Sequence, residues 1–144
     1  MKEQNYKNHI RLVPVHNATY LLVLLLLIGS VVKLYRSWVT GFGGLLTPVL
    51  FILGALALLS VTWYCRYFAL RAQDRAIRAE ENLRYFAITG KLLDSKLRLG
   101  QIIALRFASN NEFVDLAHKA VEENMSPRQI KQAVTHWRGD HHRV

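Results

Sequence analysis

Residues 45–65 read LLTPVLFILGALALLSVTWYC, and residues 66–86 follow as RYFALRAQDRAIRAEENLRYF, with neither glycine nor proline at the join. The first block holds twenty-one residues without a charge. That is enough to cross about 30 Å of hydrocarbon at 1.5 Å per residue. The second block is rich in charge yet keeps a helical spacing, so the two read as one helix that leaves a membrane and continues into water. Trp63, Tyr64 and Tyr67 precede or border the first arginines, as an aromatic belt at an interface would.

Upstream, Ala18–Val32 is a second uncharged run, shorter, which reaches Tyr35 if Lys33 extends its amine toward the headgroups. Between the runs, RSWVTGFGG at residues 36–44 has the glycines of a reversal, with Trp38 and Phe42 suited to an interface. The expected fold is therefore an all-α membrane protein. A cytoplasmic N-terminal segment covers 1–17 and a transmembrane hairpin covers 18–66, with spans at about 18–35 and 45–66 and an outer loop at 36–44. A cytoplasmic helical stalk covers 67–88, and a small bundle of short helices forms a cap over 89–144. No small-x-small cleavage site follows the first run, which reads as an uncleaved anchor.

The chain has 144 residues and a net charge of +9, of which +5 lies in residues 66–144. Lys2, Lys7 and Arg11 flank the first span, and Arg66, Arg71, Arg75 and Arg78 follow the second. Counting positive residues places both termini in the cytoplasm, and the expected location is the bacterial cytoplasmic membrane, crossed more than once. One cysteine, Cys65, excludes an internal disulfide and a cysteine-based zinc knuckle.

Within the stalk, Ala69, Ala72, Ala76, Ala79, Leu83 and Phe86 recur at spacings of three and four. This stripe is expected to pack within the chain or against a fixed partner, since small side chains let another helix approach closely, rather than to drive dimerisation alone. The other faces carry Arg71, Gln73, Asp74, Arg75, Arg78, Glu80, Glu81 and Arg84. Arg71–Asp74, Asp74–Arg78, Glu80–Arg84 and Glu81–Arg84 are all at ion-pair spacing. Arg66, Arg71, Gln73, Asp74, Arg75, Arg78 and Glu81 are the candidate contacts to a partner or to lipid headgroups.

Past Thr89-Gly90, Leu97, Leu99, Ile102, Ile103, Leu105 and Phe107 read as a short apolar helix. Ser109 with Glu112 fits a capping box, and the helix it opens has Phe113, Leu116, Ala117, Ala120 and Val121 on one face. Ser126-Pro127 with Gln129 opens another, carrying Ile130, Ala133, Val134 and Trp137. Arg106 stands among apolar neighbours, and its expected role is a structural ion pair to Glu112 or Asp115. His136, His141 and His142 cluster near the end without ligand partners at a defined spacing, so neither a metal nor a cofactor is expected. No phosphate loop or nucleophile–base order is present, which argues against an enzyme.

QNYKNH at residues 4–9, QDRAIRAEE at 73–81, QIIALRFAS at 101–109 and IKQAVTHW at 130–137, with the terminal Asp140, Arg143 and Val144, are features of a known pattern. In these stretches the chain resembles a family of small bacterial two-span membrane proteins known as a domain of unknown function. Asn110-Asn111 and Gly139 depart from that pattern, where an acidic residue and a proline are usual. The resemblance implies a cytoplasmic helical tail and no particular activity. It also raises the expectation that the N-terminal motif contacts the arginine helix.

The resulting functional expectation is a non-enzymatic accessory or scaffold subunit of a larger membrane assembly. Its partners would be membrane lipids and other membrane protein subunits or further copies of itself. The alternative is a membrane-tethered binding module for an anionic surface, either lipid headgroups or RNA phosphates. Aromatics are not interleaved with the basic residues of the cap, which argues against nucleic acid.

Overall fold

A computed structural model describes residues 4–6, 8 and 13–140. These residues form five helices: α1 (Pro14–Thr40), α2 (Leu46–Thr89), α3 (Leu99–Leu105), α4 (Asn110–Glu122) and α5 (Pro127–Ala133). The chain divides into two compact units. One is Leu12–Ala69, and the other joins Met1–Arg11 to Leu70–Val144.

In the first unit, α1 begins on Pro14, whose fixed φ suits a first helical turn and whose missing N–H costs nothing there. It ends at Gly41, which adopts a φ of 66° and donates its N–H to the Ser37 carbonyl at 3.0 Å. The helix is 27 residues long, or about 40 Å, and outruns the expected 18–35 span at both ends. The connection to α2 shrinks accordingly to residues 41–45. Pro48 lies inside the first turn of α2, where its missing donor is still tolerated. Hydroxyls within the apolar runs bond back to their own helix, Ser30 to the Leu26 carbonyl and Thr62 to that of Leu58. Both long helices are long and apolar enough to cross a membrane, with a mean hydropathy of 2.1 in their most apolar windows. Only 11% of each window is buried, so these side chains are not packed as the core of a soluble fold.

In the second unit, α3, α4 and α5 pack on one another, and α2 meets α4 through Arg84 and Tyr85, which lie against Phe113 and His118. Gly90 ends α2 in the left-handed region at φ 73°, and its N–H closes on the Phe86 carbonyl at 2.8 Å. The core gathers Tyr85, Leu97, Ile102, Leu105, Phe113, Leu116, Met125, Ile130 and Val134. Each large apolar side chain buried this way contributes roughly 1.5–3 kcal/mol. Gln101, the one buried side-chain amide among the described residues, is satisfied twice. It donates to the Met125 carbonyl at 2.8 Å and accepts from the Arg98 N–H at 2.7 Å.

Three expectations are corrected here. The apolar helix after Gly90 is shorter than its pattern, so Leu97 and Phe107 flank α3 rather than belong to it. Helix α5 stops at Ala133, and Trp137 lies in an extended segment that bridges antiparallel to Ala108. The β-branched pair Val134-Thr135 favours extension, and the Glu112 carboxylate captures the Thr135 and His136 amides at 3.0 and 3.1 Å. The third correction concerns α2, and only the alternative that its alanine stripe packs within this unit. Its buried positions in this unit are Ile77, Glu81 and Tyr85, on the side opposite the alanine stripe. Leu83 and Phe86 of that stripe are 68% and 50% exposed.

Candidate functional site: a polar cleft beside α2

One turn of α2 after another brings Gln73, Ile77 and Glu81 onto the docked face, since residues three or four apart share a side. Opposite them stand Arg106, just past the end of α3, and the segment Arg138–Asp140. These residues, with Ala76 and Glu80, enclose a cavity of about 440 Å³.

Arg106 is almost fully buried, its guanidinium 4.6 Å from the centre of the Phe107 ring. Its Nε lies 3.2 Å from a carboxylate oxygen of Asp140. This replaces the expected pairing with Glu112 or Asp115. Glu112 sits at the third position of α4 and turns back on its own helix start, where the Ser109 N–H donates to it at 3.1 Å. Asp115 is exposed on α4. Asp140 is fixed in turn through its backbone, which donates to Gln4 Oε1 at 2.7 Å. The N-terminal motif thus reaches this unit at the C-terminal segment.

Glu81 is also buried and faces two arginines, Arg84 at 3.0 Å and Arg138 at 3.9 Å. Arg84 uses its whole fork. It donates to Asn110 Oδ1 at 2.8 Å and to the Ala108 carbonyl at 2.7 Å, and it lies 4.2 Å from the centre of the Phe113 ring. A planar guanidinium suits this three-way grip. Glu81–Arg84 is the expected i,i+3 pair. Around Phe107, Trp137 stacks at 4.9 Å between centroids and the Lys131 ammonium lies at 5.5 Å from the ring.

Glu112 has an electrostatic role of its own. Burial pushes its carboxyl up, but the Thr135 hydroxyl and the backbone N–H groups of Thr135, Ser109 and His136 outweigh it. Together they bring its pKa down from 4.5 to about 2. The ionised carboxylate thereby pins the segment after α5 to the start of α4.

Of the candidate contacts, Gln73 and Glu81 line the cleft, and Asp74 is half-buried near them. Arg71, Arg75 and Arg78 are exposed, and Arg66 belongs to the other unit. Asp140 and Arg138 are the cleft residues that local spacing missed, because their partners are distant in sequence. The motif resemblance did contain Gln4 and Asp140. Among the described residues, no group of three or more His, Cys, Asp or Glu is placed to hold a metal. His141 and His142 lie outside them. Chemically, Asp140 is paired with Arg106 and Glu81 with Arg138, an arrangement that clamps the C-terminal segment to α2 and to the residue after α3.

The gathering of Gln4, Gln73, Glu81, Arg106 and Asp140 brings residues of four separated motifs into one unit. No curated protein and no solved structure matches the chain. A family model does match, over residues 1–144, and the chain therefore belongs to DUF6526, a family of unknown function.

Proposed function

We propose that this chain is a non-enzymatic integral membrane protein, an accessory or scaffold subunit of a larger assembly in the bacterial cytoplasmic membrane, with both termini in the cytoplasm. One observation carries the reading. The second unit docks on one side of α2 and leaves Leu83 and Phe86 uncovered on the other, 68% and 50% exposed. A helix that seats its charged Glu81 and Arg84 inside while turning Leu83 and Phe86 out has an apolar face reserved for something else. The mostly exposed apolar windows of α1 and α2 support membrane insertion, and the arginines after Cys65 support the orientation.

The test is affinity isolation of the tagged full chain from native membranes in a mild detergent, beside a Leu83→Ser/Phe86→Ser variant. A stoichiometric companion chain, or a second copy, that is lost in the variant is the expected result. A lone monomer from both preparations overturns the proposal.

A further inference from the structure

We infer that the uncovered face of α2 is a self-association seam, along which a second copy of this chain packs in parallel. This deepens the reading above and rests on it. Written as a heptad, Ala76 and Leu83 occupy a positions and Ala79 and Phe86 occupy d positions, which is the pattern of a two-helix seam. The chain's own cap covers the other side. Ile77, Glu81, Arg84 and Tyr85 fall at b, f, b and c, the positions that a coiled coil turns away from its partner helix. Ala76 and Glu80 border the cleft as well as the seam, but Leu83 and Phe86, its large apolar residues, lie on the side of α2 that the cap leaves uncovered.

Charge selects the occupant. Arg75 falls at g and Glu80 at the following e, and in a parallel pair g of one helix faces the next e of the other. Two copies would form the Arg75–Glu80 contact twice, once on each side of the seam. Both residues are exposed, and neither is in an ion pair within the chain among the described residues. The seam is thus self-complementary in sign as well as in shape. The direction follows from the proposed anchoring, since two copies inserted the same way present α2 in parallel. Alanine at a and d allows a close approach, with axes about 8 Å apart. A seam of two heptads is marginal by itself, so the association belongs to the full chain held in a membrane.

The test is photocrosslinking of the full chain in native membranes, with benzoylphenylalanine at position 83 on the seam or at position 78 off it. The expected product is a covalent pair of this chain from position 83 and far less from position 78. Arg75→Glu is expected to lower that yield by about tenfold, by replacing two attractions with two repulsions, and adding Glu80→Arg is expected to restore it. That rescue separates charge matching from simple misfolding. A crosslink from position 83 to a different protein overturns self-association and leaves the scaffold reading standing. No crosslink from position 83 overturns both.

Discussion

Arg106 and Asp140 meet at 3.2 Å, and the arginine side chain is only 6% exposed while the carboxylate is 25% exposed. A guanidinium so removed from water depends on its counter-charge, because an uncompensated buried charge costs far more than the intact pair gains. This contact, with Glu81 between Arg84 and Arg138, decides where the C-terminal segment lies.

Asp140→Asn is expected to destabilise the second unit by about 1–3 kcal/mol, since it removes the charge and leaves Arg106 buried. Arg106→Met should cost less than Asp140→Asn, because it deletes the group that needs compensation while keeping much of its bulk. Hydrogen exchange of residues 99–138 in detergent would rank the two variants. The reverse order would contradict this account.

Arg84→Lys should behave as a severe change despite the retained charge. A lysine amine cannot reach Glu81, Asn110 and the Ala108 carbonyl together while covering Phe113. A loss of about 1–3 kcal/mol is expected, read from thermal unfolding followed by circular dichroism.

Glu112 sets a pH dependence. Its carboxyl is lowered in the folded chain from 4.5 to about 2, so the folded form holds the proton more weakly than the unfolded form. The stability it provides is fully present above pH 4.5 and is lost as pH falls toward 2. Exchange of the Thr135 and His136 amides should rise through that window. Glu112→Gln should flatten the rise while weakening the segment at neutral pH.

Gly90→Ala tests the end of α2. The residue holds φ 73°, and an added Cβ would meet nothing within 4 Å, so the cost is backbone strain alone. About 1 kcal/mol is expected, with faster exchange near Phe86–Lys91 and an otherwise intact cap.

Local chemistry made much of this fold legible. An uncharged run of sufficient length, Gly41 and Gly90 at helix ends, and the Ser109–Glu112 and Ser126–Gln129 capping boxes act within a few residues of themselves. The faces of α4 were equally readable, because Phe113, Leu116, Ala117 and Ala120 form one unambiguous apolar side. The docked face of α2 was not. Alanine buries little area, so the stripe from Ala69 to Ala79 set only a weak preference. The opposite side could seat Ile77 and Tyr85 and also satisfy Glu81 and Arg84. Helix α5 likewise stopped before Trp137 because the Glu112 carboxylate, far away in the chain, took the Thr135 and His136 amides. The amino-acid sequence by itself determined the apolar runs and the helix ends that glycines and capping boxes mark, whereas the end of α5 was set by a distant carboxylate. Only the tertiary structure decided which side of α2 is inside and which acid faces Arg106, since those outcomes depend on partners that come together only once the chain has folded.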